Sequence, residues 1–218
     1  MSEKVVTNDP KGVGAFILMS NEMEMQKTIS IGKGKTVLLD DYYNSERKKD
    51  ITGVELPFHY KWDEMPNSGF AYLENVFHTY GVNTKTNSNP PDADNLAKAD
   101  IFIIVDADNI ADNPHPNYVG AKDANAIFDW VKKGGVLVIL HNDKGNAEFE
   151  HFNTLTDKFG IHFNEDSRNH VDGNKFEMGA LYFDSTNSIF KTAKKVYLKE
   201  ISTLKLSSPA TAVFTNKG

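Results

Sequence analysis

Asp40, Asp106 and His141 each stand at the end of an apolar run. The runs are Thr36-Val37-Leu38-Leu39, Ile101-Phe102-Ile103-Ile104-Val105 and Val136-Leu137-Val138-Ile139-Leu140. Two carboxyls and an imidazole in one place could act as acid and base. Together with Asp41, Asp108 and Asp143, they could also hold a hard divalent cation through carboxylate oxygens, with the imidazole widening the choice to manganese or zinc. Asp41, Tyr43, Asp108, Asn142, Asp143 and Asn146 follow the same runs and are candidate ligand contacts. The alternative for all of these types is structural: Asp, Asn and His after strands close turns and cap helices. The carboxylates are scattered, without a tight spacing motif, so no metal site is assigned.

A further candidate lies between the first two runs, in Phe58-His59-Tyr60-Lys61-Trp62-Asp63. Here His59 and Trp62 interleave polar and aromatic groups, a pattern that can hold a sugar by stacking and rim hydrogen bonds. The same aromatics could instead pack a long loop onto the domain, since large rings are more often buried than exposed. Glu148 and Glu150 open the segment after the third run, where the helix dipole favours acids. His151 follows them, and the polar stretch Asn164–His170 is either a lid over the strand ends or a surface loop.

Residues that carry covalent acyl chemistry are missing. The chain has no cysteine, so disulfides, thiolate metal sites and a cysteine nucleophile are excluded. The strand-to-helix turn at His141-Asn142-Asp143-Lys144, where a nucleophile elbow would sit, holds neither serine nor a Gly-x-Ser-x-Gly motif.

The elements that position these residues follow from the pattern. Continuous apolar runs suit strands covered on both faces of a parallel sheet. If the three runs are parallel neighbours, their polar ends meet on one rim, where ligands bind in such sheets. Helices are predicted over 69–80, 93–98, 121–132 and 147–159. Short strands are predicted near 82–86, 161–163, 195–201 and 212–215. The whole reads as an α/β three-layer sandwich with a mostly parallel central sheet. Asp9-Pro10 begins a further helix over 12–25 that is apolar nearly all round and therefore needs cover. A linker-like Ile31-Gly32-Lys33-Gly34-Lys35 follows it. The division is residues 1–34 for this helix and linker, and 35–218 for the α/β domain, whose apolar end suggests that a closing element is missing.

With 218 residues and 39 % apolar residues, the chain can bury a core. A net charge of −6 argues against a general nucleic-acid binder or an anionic-membrane binder. Arg47-Lys48-Lys49 is the main basic cluster and reads as a solvated loop. No transmembrane stretch is present, and Met1-Ser2-Glu3-Lys4 lacks the apolar segment of a signal peptide. The chain is thus cytoplasmic at face value, or periplasmic or secreted if it is part of an exported parent.

Two stretches resemble one family. Asp9-Pro10-Lys11-Gly12-Val13-Gly14-Ala15-Phe16-Ile17-Leu18 is similar to the last helix of the α/α-barrel of unsaturated rhamnogalacturonyl hydrolases. Val37–Asn44, His59–Trp62, Asn67–Phe70, Trp130–Leu137 and Asn142–Asn153 resemble the domain appended to that barrel. That domain has a class I glutamine amidotransferase-like fold related to trehalose-utilisation proteins. The resemblance implies an accessory part of a pectin-degrading glycoside hydrolase, partnered by carbohydrate or by the catalytic barrel. It carries over no barrel active-site residue, and amidotransferase activity is excluded by the missing cysteine. The competing expectation is a sugar-acting hydrolase or isomerase using Asp40, Asp106 and His141. A third is homodimerisation or domain packing through the Gly12–Met25 helix.

Overall fold

The computed structural model describes residues 10–183 and 194–215. The elements, in chain order, begin with α1 (Pro10–Gly32), β1 (Thr36–Asp40) and a short hairpin, β2 (Arg47–Lys49) and β3 (Glu55–Pro57). They continue with α2 (Ala71–Thr79), β4 (Asn83–Asn87), α3 (Ala93–Leu96), β5 (Ile101–Val105), α4 (Ala121–Lys132), β6 (Val136–Leu140) and α5 (Asn153–Thr156). Four short strands close the described chain: β7 (Ile161–Phe163), β8 (Ala180–Tyr182), β9 (Lys195–Tyr197) and β10 (Leu204–Leu206).

The central sheet has the order β4-β1-β5-β6, and every pair in it is parallel. The three apolar runs are therefore adjacent strands running the same way. The chain visits β1, then β4 on one side, then crosses to β5 on the other, so the order reverses between β1 and β5. Alternate residues of each strand face opposite layers. Leu38, Phe102 and Ile104 pack with Leu96, Ala124, Ile127 and Leu155, under α3, α4 and α5. Val37, Leu39, Ile103 and Val105 pack with Trp62 and with Phe70, Leu73 and Phe77 at α2. The result is a mixed α/β structure with helices on both faces of a mostly parallel sheet.

Several sequence expectations are corrected. β6 is an edge strand with Val136 and Leu140 half exposed, so an apolar run does not by itself ensure cover on both sides. The helix expected at 147–159 shrinks to α5 plus a 3-10 turn at Asp157–Phe159. Its first part is a turn in which Glu148 accepts the backbone N–H groups of His151 and Phe152 at 2.9 Å each. Arg47-Lys48-Lys49 is strand β2 rather than loop, and 212–215 is irregular. The Met1–Lys4 start lies outside the described residues.

The expected linker at 31–35 is the last turn of α1 followed by a tight turn. Gly32 donates its N–H to the Tyr80 carbonyl at 2.8 Å. Gly81 sits at φ +76°, and a β-carbon there would lie 2.1 Å from the Ile29 carbonyl oxygen. This close approach fixes the C-terminal end of α1 against the turn between α2 and β4. The rest of α1 stands in solvent, with Phe16 65 % and Leu18 68 % exposed.

Candidate functional site

The rim at the carboxyl ends of β1, β5 and β6 does gather the predicted polar residues, and Asn44 links the β1 and β5 groups by donating its Nδ2–H to the Asp106 carbonyl at 3.0 Å. At β1, the buried Asp40 turns back on its own loop. Its Oδ2 accepts the backbone N–H groups of Tyr43 at 2.9 Å and Asn44 at 3.2 Å. Its Oδ1 is buried and has no hydrogen-bond partner among the described residues. Burial pushes the Asp40 carboxyl up to about 7, against the pull of these N–H groups and of Lys61. Asp41 beside it forms an ion pair with Lys61 at 2.6 Å, both side chains largely buried. Lys61 Nζ also donates to the Asn44 backbone carbonyl at 2.6 Å and to Asn44 Oδ1 at 3.2 Å. All of its visible donor capacity is spent within the loop.

Asp106 follows β5 in a left-handed conformation, φ +46°. For a residue other than glycine this is a strained position of the kind found at functional sites. Its Oδ2 accepts Tyr60 O–H at 3.3 Å and Asn142 Nδ2–H at 3.2 Å, while Oδ1 is buried without a partner among the described residues. Burial pushes this carboxyl up to about 7 as well. Asp108 Oδ2 accepts the Ser45 N–H and Asn113 Nδ2–H, both at 2.9 Å, so it ties two loops together.

His141 leaves the group entirely. Its ring stacks on Phe152 at 4.3 Å and meets Phe149 and Phe163 edge-on at 5.0 and 4.8 Å. Burial among these rings lowers its pKa to about 4, partly offset by the Glu148 backbone. No hydrogen bond or ion pair among the described residues joins any two of Asp40, Asp106 and His141. No three His, Asp or Glu side chains among the described residues form a group that could hold a metal ion.

The candidate ligand contacts divide in the same way. Tyr43 is a fully buried core residue. Trp62 is 7 % exposed, packs on Phe70 and Phe77, and donates its indole N–H to the Lys85 carbonyl at 3.1 Å. Neither presents a face to a ligand, because Tyr43 packs on the Leu38 face of the sheet and Trp62 on the opposite, Leu39 face. His59 pairs with Glu46 at 2.8 Å and stacks on Phe58. His59 and Tyr60 are both left-handed, and Glu64 holds that turn by accepting the N–H groups of His59 and Lys61. Asp143 is buried and accepts from Asn146 Nδ2 at 2.7 Å and from the Ser167 hydroxyl. Asn142 remains at the rim, bonded to Asp106.

The segment 164–170 lies against this end of β6. Lys144 donates its N–H to the Asp166 carbonyl at 3.0 Å, and Ser167 Oγ lies 3.1 Å from His170 Nε2. His151 faces Tyr118 in a stack at 4.3 Å rather than the Asp106 network. Glu46 and Glu64 were not singled out from sequence: Glu46 meets His59 across the β2–β3 excursion, and Glu64 accepts backbone N–H groups of its own turn, neither of which has a sequence motif.

No protein-family model matches the chain, and no curated protein does. Among solved structures the chain is similar to one described as the mmIFT52 N-terminal domain, with a TM-score of 0.57 and 15 % identity. The match covers 82 % of this chain and 71 % of that one. At this identity the likeness concerns the fold alone.

Proposed function

We propose that the chain is a non-catalytic accessory module of a rhamnogalacturonan-degrading glycoside hydrolase, one that binds carbohydrate and supports the catalytic barrel. The scaffold in this reading is class I glutamine amidotransferase-like. The reversal of strand order between β1 and β5, as in flavodoxin-like sheets, supports that scaffold. The observation that carries the accessory role is α1. Its 23 residues include Phe16, Ile17, Leu18, Met19, Met23 and Met25, all exposed, while its C-terminal end is locked to the domain. A helix with apolar residues all round is stable only when covered, so a neighbour belongs there. The absence of turnover in this reading is supported by how Lys61, Asp41 and Asp143 are used to hold loops.

The test mixes the purified chain with the α/α-barrel domain of an unsaturated rhamnogalacturonyl hydrolase and follows complex formation by light scattering. A complex that is lost in the Phe16→Asp, Leu18→Asp double variant is the expected result. Failure of the two to associate sinks the supporting role. Hydrolysis of a sugar substrate by the chain alone, collapsing in Asp106→Asn, would replace it with the second reading. That reading rests on Asp106: a carboxyl on a left-handed backbone, pushed up to about 7 by burial and touched by Tyr60 and Asn142, has the character of a general acid.

A further inference from the structure

A second surface is formed by the antiparallel β8–β9 pair. The two strands pair antiparallel, with Tyr182 opposite Lys195 and Ala180 opposite Tyr197. The 3-10 turn Phe176–Gly179 leads into β8. Beside them runs a groove of about 620 Å³ lined by Asn174, Lys175, Phe176, Glu177, Tyr197 and Lys199, among others. Phe176, Tyr182 and Tyr197 are 62, 65 and 51 % exposed. Three large rings so exposed on β8, β9 and the turn before them are a patch, not scattered surface residues.

The polar groups of this patch are held in place. Glu177 accepts Lys195 Nζ at 2.8 Å, Tyr197 O–H at 2.7 Å and Tyr182 O–H at 3.2 Å. Lys195 also sits over the Tyr197 ring at 4.8 Å. Lys195 and Tyr197 hold the Glu177 carboxyl below the usual range, so it stays an acceptor. The two lysines at the groove are less committed. Lys175 meets Asp172 at 2.8 Å and Lys199 meets Glu200 at 3.0 Å. Lys175 and Asp172 are both largely exposed, and pairs of that kind contribute little, so a ligand carboxylate can take over such a lysine.

We propose that this groove binds an acidic oligosaccharide, with a sugar ring stacked on Phe176 and Tyr197 and a uronate carboxylate held by Lys175 and Lys199. Glu177 and Asn174 then meet sugar hydroxyls. An aromatic wall with a few placed polar groups is how small ligands are oriented, and Lys175 and Lys199 beside the wall can exchange their carboxylate partners, Asp172 and Glu200, for one on a ligand. The inference rests on the carbohydrate-binding reading above and moves the contact from the Trp62 loop, which is core, to the hairpin.

The test titrates the whole chain with a galacturonic acid oligosaccharide and with the same oligosaccharide after its carboxyls are reduced to alcohols. Far-ultraviolet circular dichroism confirms that every variant folds. Saturable binding should weaken about tenfold or more in Phe176→Ala and in Tyr197→Ala, and in the Lys175→Ala, Lys199→Ala double variant. The reduced oligosaccharide should bind about tenfold more weakly, and added salt should weaken the acidic one. Binding that survives these variants but is lost in Asn142→Ala overturns the groove and leaves the carbohydrate reading standing. Binding that survives all of them also overturns the groove. Equal binding of both oligosaccharides overturns the uronate assignment. No binding of either overturns the groove and the carbohydrate reading together.

Discussion

Asp40→Asn tests whether the carboxyl at the end of β1 is held against its own ionisation. The folded-state value of about 7 stands against an ordinary 3.8. A carboxyl raised in the folded state contributes stability below its unfolded pKa, and that stability is lost as pH rises through the folded value. The gap of about 3 pH units corresponds to about 4 kcal/mol, all of it given up by about pH 8. Asparagine carries no charge, and its carbonyl can still accept the N–H groups of Tyr43 and Asn44. Its amide would occupy the place of Oδ1, which has no partner among the described residues, at a cost of about 1–3 kcal/mol. The variant should therefore be more stable than the parent at about pH 8, by about 1–3 kcal/mol, with the advantage vanishing or reversing near pH 4. Urea titrations across that range measure it, since urea does not screen charge. The contributions of Asp106 and His141 are common to both proteins and cancel in the difference. A variant less stable at about pH 8, or a difference that does not change with pH, would show that Lys61 and the backbone N–H groups outweigh desolvation, and the argument from burial would fail.

Three further outcomes follow from the packing. Trp62→Ala should cost about 3–5 kcal/mol in urea unfolding, because it empties the space between the sheet and Phe70 and Phe77. His141→Leu removes an imidazole with a pKa lowered to about 4. A base lowered in the folded state loses stability as pH falls from its unfolded value, so the variant should flatten the stability curve between about pH 6.5 and pH 4, a difference of about 3 kcal/mol. Gly81→Ala puts a methyl 2.1 Å from the Ile29 carbonyl at a φ of +76°. It should cost about 1–3 kcal/mol and speed amide exchange in the last turn of α1, and unchanged exchange there would refute the proposed lock.

The parts of the fold that were legible in sequence are those fixed by local hydrophobic pattern. β1, β5 and β6 fall at the residues expected of them because their apolar runs are continuous and bounded by polar turns. α4 matches because Ala124, Ile127, Phe128 and Val131 recur at helical spacing and glycines follow. The adjacency of the three strands placed their polar ends on one rim. What those side chains do there was not legible, because it depends on partners far along the chain. Asp108 reaches Ser45, and Asn142 reaches Asp106 at the end of the neighbouring strand. His141 looked like a rim base, yet Phe149, Phe152 and Phe163 enclose it, each of them also readable as ordinary core. Trp62 looked like a stacking platform, yet that face of β1 and β5 is covered by α2 together with this loop.

The same competition for cover accounts for both exposed surfaces. The loop between β1 and α2 spends its rings on the sheet, and its Lys61 and Glu64 on itself, so it has little left to offer a ligand. α1 and the β8–β9 hairpin carry apolar side chains that no described layer covers. Phe16 and Leu18 on the helix, and Phe176 and Tyr197 on the hairpin, are left to outside partners. The two surfaces differ in what accompanies the apolar groups. Exposed Phe, Leu and Met around α1 suit burial against another protein surface. Two of the rings beside the groove, Tyr182 and Tyr197, are bonded through hydroxyls to the Glu177 carboxylate and flanked by lysines, which suits a ligand that keeps its own water-seeking groups. The Phe16→Asp, Leu18→Asp double variant of α1 should therefore abolish association and leave sugar binding intact, while Tyr197→Ala should do the opposite. A single substitution that removed both would show that the two surfaces are one.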